Sequence, residues 1–260
     1  MFRPRSAALA GLAGFAALLL LPSVALAAAE VHRFNLGLSA TPSGIDAGDL
    51  NHAIDFYNRT VITPPPRGYE PLDEISFGWV FSGELRYFLT RSLAMSAGLS
   101  QLRSKTSKEY LPALSQSINV RADLITVPVH LGAAYYLQPY NQGDFQARMF
   151  LGGGLVSYTH SRTTFQQTLA GVDSTTNAEL GGSFKLANTQ DSPGYYTEGG
   201  VHMFFASRYS VLLSVLYRSG RIERMVDERT GEVVRDPETG KPFSLDVSGF
   251  GFRMAAIIGL

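Results

Sequence analysis

Apolar and polar residues alternate along most of the chain between residues 75 and 103. One face of the first run carries large apolar side chains, whereas the opposite face carries small, polar or charged ones, among them Glu84 and Arg86. After a short polar stretch at 90–92 the alternation resumes. Two alternating runs joined by a tight polar turn predict an antiparallel β-hairpin.

The length and polarity of these two runs favour a membrane protein. Strands of soluble sheets average about five or six residues, and these runs are about twice as long. Charged residues lie on the face that would form the core of a soluble protein. An apolar outside and a polar inside, over strands of about ten residues, are typical of a β-barrel that spans a bilayer.

The same alternation recurs along the rest of the chain, and eight strands are predicted in total. They cover residues 31–40, 75–89, 93–103, 119–137, 145–160, 195–206, 209–221 and 246–260. The connections between them are alternately long and short, as in outer-membrane barrels with long extracellular loops and short periplasmic turns. The long ones include 104–117, expected to be a polar loop, and 161–194, which shows no sustained apolar period.

We therefore predict an all-β fold, an eight-stranded antiparallel up-and-down transmembrane β-barrel with both termini on the periplasmic side. The interior of an eight-stranded barrel is just wide enough for side chains to fill. No open channel is expected, and a general porin is excluded.

The N-terminus indicates the route to the membrane. Arg3 and Arg5 precede an apolar run at 7–21, and a small-x-small pattern follows at 25–27. These features predict a secretory signal peptide over residues 1–29, Sec-type export, and an outer-membrane barrel domain over 30–260. The alternative, an uncleaved membrane helix, is disfavoured because the apolar run is shorter than the roughly 20 residues that a span needs.

Composition excludes several classes of function. The chain has 22 Lys and Arg residues against 22 Asp and Glu residues, so it offers no basic stripe for a nucleic acid. It has no Cys, which excludes disulfides, thiolate chemistry and a lipid-modified cysteine. Its five His residues are scattered singly, so neither a metal nor a cofactor is expected.

Eight ionisable residues fall on the inward, polar phase of the predicted strands. Lone charges in a lumen too narrow for bulk water are costly, so these groups should form pairs. The cluster can be a structural plug of salt bridges, or it can gate a small pore. Its members are Glu84, Arg86, His130, Arg148, Glu198, His202, Arg218 and Arg253.

The first long connection contains a short amphipathic helix pattern at 46–58, with Asp46 or Asp49 able to cap it. The apolar positions, spaced i, i+3, i+4 and i+7, are Leu50, Ala53, Ile54 and Tyr57. This helix can pack over the barrel mouth as a lid, or it can line an entrance for a small hydrophobic ligand.

Aromatic residues are concentrated where the two interfaces of the bilayer should lie. Those near the short turns are Tyr87, Phe88, Tyr135, Tyr136, Tyr140, Phe145, Phe204, Phe205 and Tyr209. Those toward the long connections are Trp79, Tyr158, Tyr195, Tyr196, Tyr217 and Phe250. Two such girdles are expected of a membrane barrel.

No catalytic motif is apparent. A nucleophile needs a base within hydrogen-bond reach, and no such pair is visible in the sequence. His160 and Ser161 are adjacent, so in a strand they point to opposite faces. A Gly-rich phosphate loop is also unsupported, because each glycine group lies inside an alternating strand with no helix following.

Two segments resemble a known family. The closing strand, residues 247–260 (VSGFGFRMAAIIGL), resembles the C-terminal assembly signal of small outer-membrane barrels, although it ends in Leu260 where that signal usually has Phe. The segment 125–131 (ITVPVHL) is similar to a pattern common among them. The mature chain thus resembles the eight-stranded OmpA-, OmpX- and OmpW-type barrels of Gram-negative bacteria.

The resemblance implies a non-enzymatic integral protein of the outer membrane that serves envelope structure and surface interaction through its long loops. The alternative is OmpW-like binding or passage of small hydrophobic molecules, and a lipid A-modifying enzyme is a third. The expected partners are outer-membrane lipid and lipopolysaccharide, the barrel-assembly machinery through the C-terminal strand and, in the OmpW-like alternative, a small hydrophobic ligand. The protein is expected to be a monomer.

Overall fold

The computed structural model describes residues 32–64, 68–113, 116–142, 145–171, 178–179, 183–205, 208–236 and 239–260. Eight long strands dominate it, and each pairs with a neighbour on either side. In chain order they are β1 (Phe34–Gly44), β2 (Phe77–Phe88), β3 (Leu93–Ala113), β4 (Gln116–Tyr136), β5 (Phe145–Gly171), β6 (Ser192–Phe204), β7 (Tyr209–Ile222) and β8 (Gly249–Gly259).

The eight strands close into a ring. Each strand pairs antiparallel with the next, and β1 pairs antiparallel with β8, with Asn35 opposite Gly259 and Ser43 opposite Gly251. Closure removes the unpaired edges that lipid could not satisfy. The predicted eight-stranded antiparallel up-and-down barrel is confirmed. The predicted signal peptide lies outside the described residues.

The alternation of side chains matches a barrel in lipid. On β8, Phe252 and Met254 are exposed, whereas Gly251 and Arg253, which alternate with them, are buried. Some predicted bounds shift by a few residues. β1 continues to Gly44 instead of ending at residue 40, and β8 begins at Gly249 instead of 246.

β3, β4 and β5 are much longer than the sequence pattern predicted. They have 21, 21 and 27 residues. The polar loop predicted at 104–117 is wrong, because β3 continues to Ala113 and β4 begins at Gln116. The stretch after residue 160, predicted to be a long connection without a sustained apolar period, continues β5 as far as Gly171 and contains a further strand, Phe184–Asn188.

The faces of these long strands exchange polarity partway along. On β3, Leu99 points outward and Ser96 inward, but beyond Ser100 the exposed residue is Arg103 and the buried one is Leu102. An apolar outer surface belongs in lipid and a charged outer surface in water. The membrane-spanning part of β3 therefore ends near Ser100, and the rest of the strand stands in water.

Above this boundary, toward the long connections, the strands enclose a hydrophobic core of their own. We call this part the cap. It comprises the upper halves of β3–β5, the helix α1 (Asp49–Tyr57) and the short strands Phe184–Asn188, Met225–Asp227 and Leu245–Asp246. The pair Ala178–Glu179 extends the same sheet.

The helix α1 has a different N-terminus from the one predicted. Its N-cap is Gly48, at a φ of 56°, with no side-chain hydrogen bond from Asp46 or Asp49. Gly suits this backbone conformation, which most other residues avoid. A π-helical turn, Asn58–Ile62, follows α1 directly.

β5 contains a bulge opposite Pro128. Val127 pairs with His160, whereas Pro128 pairs with Tyr158, so Thr159 is the extra residue. Proline has no N–H for the ladder, and a bulge is a common solution where it lies within a sheet. The Thr159 hydroxyl donates a hydrogen bond of 3.1 Å to the Val127 carbonyl.

The opposite end of the barrel, with the short turns, has an apolar floor. Several aromatic residues predicted for the interface girdle lie inside the barrel instead, because they occupy the inward phase of their strands. These are Phe88, Tyr136 and Phe204, which pack with Phe150, Leu212 and Ile257. A short strand, Tyr140–Gln142, pairs with the start of β5 nearby. Among the described residues, no helix is long and apolar enough to cross a membrane.

Candidate functional site: the charged interior of the barrel

A layer of buried charges lies between the apolar floor and the cap. It is built from the even-numbered strands: β2 supplies Glu84 and Arg86, β4 supplies His130, β6 supplies Glu198, and β8 supplies Arg253. Residues two apart in a strand point to the same face, which brings Glu84 and Arg86 together inside the lumen.

Glu84 is the centre of this layer. Its Oε1 accepts hydrogen bonds from Arg86 Nη2 at 2.7 Å and Nε at 3.0 Å. Its Oε2 accepts one from Arg253 Nη2 at 3.1 Å and lies 3.3 Å from His130 Nε2. A carboxylate with two guanidinium partners is well compensated for its burial, because charge-assisted hydrogen bonds replace its hydration.

Arg253 connects Glu84 to a second carboxylate. Its Nη1 donates to Glu198 Oε1 at 3.3 Å, and its Nε donates to the Ser39 hydroxyl at 3.2 Å. Ser214 on β7 donates to Glu198 Oε1 at 2.5 Å. Each nitrogen of the Arg253 guanidinium therefore has a partner, each on a different strand.

Tyr136 extends the network toward the floor. Its hydroxyl accepts a short hydrogen bond from Arg86 Nη1 and lies 3.1 Å from His202 Nδ1. The other ring nitrogen of His202, Nε2, lies 2.8 Å from the Ser210 hydroxyl on β7. The contact between Tyr136 and His202 joins β4 to β6. Together with the contacts around Glu84, it links β2, β4, β6 and β8 in a closed circuit around the lumen.

Two of the predicted cluster members lie apart from this circuit. Arg148 donates to Gln146 Oε1 at 2.7 Å and to the Arg91 carbonyl, near the floor. Arg218 donates to the Val247 carbonyl at 2.8 Å and to Ser43 Oγ at 3.1 Å, near the cap. Neither forms an ion pair with a described carboxylate, and the hydrogen bonds of both go to neutral oxygens.

A glycine makes room for the His130 ring. A Cβ at Gly98 would lie 2.5 Å from His130 Cε1 and 2.5 Å from the Gly83 carbonyl oxygen, much closer than such atoms approach. The ring of Tyr196 packs edge-on against His130 at a centroid distance of 5.8 Å. Glycines in these strands thus serve close packing inside a narrow barrel.

The remaining open space above the charged layer is small. A cavity of about 60 Å³ is lined by the polar side chains of His130, Glu198, Arg218 and Arg253 and by apolar groups, among them Val80, Val156 and Leu216. This is enough for a few water molecules. It is well below the roughly 300–1,000 Å³ of sites that bind drug-sized molecules.

The helix α1 sits over the cap core. Leu50 and Ile54 are fully buried, Tyr57 is nearly so, and Ala53 packs partly buried against the same core. The Tyr57 ring meets Phe165 of β5 edge-on at 5.3 Å. The four residues predicted to form a lid thus lie on or against one hydrophobic core at the mouth of the barrel.

Sequence reasoning missed one contact of chemical interest, the hydrogen bond between His202 and Ser210. The two residues lie on adjacent strands, and only the register of β6 against β7 brings them together. The sequence alone shows no nucleophile beside a base, and this pair is visible only in the structure. Both residues are buried, and the described cavity above the charged layer is lined by other residues.

Similar folds occur among solved structures. The outer-membrane protein OprG from Pseudomonas aeruginosa is 12% identical, with a TM-score of 0.43, over 89% of this chain and 97% of that one. Neisserial surface protein A is 10% identical, with a TM-score of 0.39, over 87% and 97%. The N-terminal β-barrel domain of Pseudomonas aeruginosa OprF is 11% identical, with a TM-score of 0.36, over 86% and 96%.

Curated protein sequences include no significant match. The model of the family described as "Outer membrane protein beta-barrel domain" matches residues 13–248. That match covers most of the chain and is consistent with the closed eight-stranded ring. The protein belongs to the outer membrane protein β-barrel domain family.

Proposed function

We propose that this protein is a closed, non-enzymatic barrel of the outer membrane that serves envelope structure and surface interaction. The charged layer blocks the lumen, and the cap presents the surface that meets other molecules. The plug interpretation of the interior charges is preferred over the pore-gate interpretation.

The observation that carries the proposal is the circuit of hydrogen bonds around Glu84. The contacts join β4 to β2, β2 to β8, β8 to β6, and β6 back to β4. Side chains that meet across the lumen leave no continuous aqueous path between them. A pore would require several buried ion pairs to separate, each at a substantial desolvation cost.

The alternative, binding or passage of a small hydrophobic molecule, has less support. The cavity above the charges is too small for such a molecule, and the space beneath α1 is filled by the buried side chains of the cap core. Such a ligand would have to displace that core. The cap therefore favours a closed mouth over an entrance.

The enzymatic alternative also has less support. The Ser210 and His202 pair is enclosed by the apolar floor, where Phe204 stacks on the His202 ring at a centroid distance of 4.0 Å. The second ring nitrogen contacts Tyr136 instead of a carboxylate. A substrate acyl chain has no access to this pair, so we assign it a structural role.

The proposal includes the biogenesis and surroundings of the barrel. Sec-type export would deliver the chain to the periplasm, where the barrel-assembly machinery would recognise β8. Both termini would lie in the periplasm. The pairing of Asn35 with Gly259 at the short-turn end supports this orientation. The outer face would contact membrane lipid and lipopolysaccharide, and the closed ring favours a monomer.

The test is single-channel conductance of the refolded protein in planar bilayers. The wild type should show no steps, whereas Glu84→Ala, which leaves Arg86 without a carboxylate and Arg253 with Glu198 alone, should conduct. Glu70→Ala is the control, because the Glu70 side chain is 80% exposed on the cap. A wild type that conducts, and that small hydrophobic solutes block, would replace the plug by the transport alternative.

A further inference from the structure

Three potential metal ligands meet on the surface of the cap, where α1 approaches the last long connection. They are Asp49 and His52, one helical turn apart on α1, and Asp236, which lies far away in the sequence. His52 Nδ1 lies 3.6 Å from Asp49 Oδ1 and 3.8 Å from Asp236 Oδ2. All three ligand atoms lie within 4.8 Å of one another.

These separations suit a small metal ion. Zinc binds imidazole nitrogen and carboxylate oxygen at about 2.0–2.2 Å, so two ligands at a tetrahedral angle lie about 3.4 Å apart. The two separations from His52 Nδ1 exceed this value by only a few tenths of an ångström, and the two carboxylate oxygens lie no more than 4.8 Å apart. A side-chain rotation within one rotamer would close that gap.

Each carboxylate is held so that one oxygen is fixed and the other faces the cluster. Asp49 Oδ2 accepts hydrogen bonds from the Ser244 backbone N–H at 2.7 Å and the Ser244 hydroxyl at 3.1 Å. Asp236 Oδ1 accepts one from the Thr239 N–H at 2.7 Å. Fixed outer partners that orient the ligands are a regular feature of protein metal sites.

The degree of burial is also suitable. Asp236 is 3% exposed, which is unusual for a carboxylate, whereas the His52 side chain is 64% exposed. A metal could enter from the His52 side and keep a water there as a further ligand. His52 Nδ1 lies within 4 Å of both carboxylates.

We propose that Asp49, His52 and Asp236 form a binding site for a divalent transition-metal ion of the zinc class. One imidazole with two carboxylates favours such an ion over calcium or magnesium, which take oxygen ligands almost alone. The metal would tie α1 to a segment more than 180 residues later and so hold the cap closed. This inference does not depend on whether the lumen is plugged.

The experiment is isothermal titration of the refolded, tag-free mature protein with ZnCl₂ in a buffer without phosphate or chelators. Saturable binding with a stoichiometry of one is expected, together with a higher midpoint of thermal unfolding when zinc is present. His52→Ala should weaken binding at least about tenfold, as loss of even an outer partner does at other metal sites. His160→Ala, which removes another exposed histidine, should leave the affinity unchanged.

His52→Ala should not impair folding, because the side chain is largely exposed. A second variant, Asp49→Asn, keeps the oxygen that accepts from Ser244 and should also weaken binding. Crystals soaked in ZnCl₂ should show an anomalous peak between the three side chains. The proposal is overturned if zinc does not bind saturably, or if His52→Ala and His160→Ala bind it equally well.

Discussion

Glu84 on the second barrel strand accepts a hydrogen bond of 3.1 Å from Arg253 on the last one, inside the lumen and 169 residues away in the sequence. The pair lies where the lumen is bordered by polar side chains and shielded from bulk water. The contribution of this pair to the free energy of unfolding depends on the buried charge that would remain if one partner were removed.

Glu84→Ala should destabilise the barrel by about 3–5 kcal/mol, because it leaves the buried Arg86 guanidinium without a carboxylate partner and Arg253 with Glu198 alone. Urea unfolding in lipid vesicles measures this change. Asp55→Ala is the matched control, since Asp55 pairs with Arg59 on the exposed face of α1 at 3.0 Å. That surface pair should contribute about 0.5 kcal/mol or less. Equal effects of the two variants would show that the interior pair is solvated.

Gly98→Ala should destabilise the barrel by about 1–3 kcal/mol, because the new methyl group would overlap His130 and the Gly83 carbonyl. Gly83→Ala provides the control on the neighbouring strand. A Cβ at Gly83 meets only Leu38 Cδ2 at 3.8 Å, an ordinary contact. Unfolding curves of the two variants should therefore differ clearly, and similar curves would contradict the close packing of His130 against β3.

Ile54→Ala should destabilise the cap by about 2–5 kcal/mol, since it removes a fully buried side chain from the core beneath α1. The measurement is the rate of tryptic cleavage at Arg59, which follows α1 directly and should become more accessible. Glu70→Ala, which changes an exposed side chain elsewhere on the cap, should leave that rate unchanged. Conductance should stay at zero in both variants, because the charged layer lies below the cap. Conductance in Ile54→Ala would mean that the cap itself closes the lumen.

Tyr110 should make the cap sensitive to alkaline pH. Burial raises the pKa of its hydroxyl to about 12, against about 10 in an unfolded chain. Because the folded pKa is the higher one, the associated stability is present below pH 10 and is lost as the pH rises toward 12. Tyr110→Phe should reduce this loss between pH 10 and 12.

The same substitution should cost little stability at neutral pH, because the Tyr110 hydroxyl is buried without a hydrogen-bond partner in the described structure. Stability measured against pH by urea unfolding provides the test. Tyr140→Phe, which removes an exposed hydroxyl, is the control and should leave the pH profile unchanged. A Tyr110→Phe profile identical to that of the wild type would rule out this origin of alkaline sensitivity.

The period-two pattern predicted the barrel itself, since lipid requires one face of every strand to be apolar over the whole span. It failed where that requirement ends. Beyond Ser100 the outward positions become charged and the inward ones apolar, so β3 no longer looks like a membrane strand even though its hydrogen-bond ladder continues. A search for the same period with the two faces exchanged would have found the upper parts of β3–β5.

The interior residues were identifiable by phase, but their partners were not. The pattern shows that Arg148 and Arg218 face inward, yet their height relative to Glu84 depends on the shear of the whole ring. The structure places them at opposite ends of the charged layer, bound to neutral oxygens. Register likewise decides the contact between His202 and Ser210, whereas the contact between His52 and Asp236 depends on how α1 packs against the last long connection.

The length of β5 has a consequence for what can reach this protein from outside the cell. At about 3.3 Å per residue and a tilt of about 40°, a strand of 27 residues rises on the order of 70 Å. The apolar band of an outer-membrane barrel is about 25 Å tall. With the proposed orientation, the cap would extend beyond the bilayer among the sugar chains of the cell surface. Antibodies and bacteriophages could then contact it without reaching the bilayer itself.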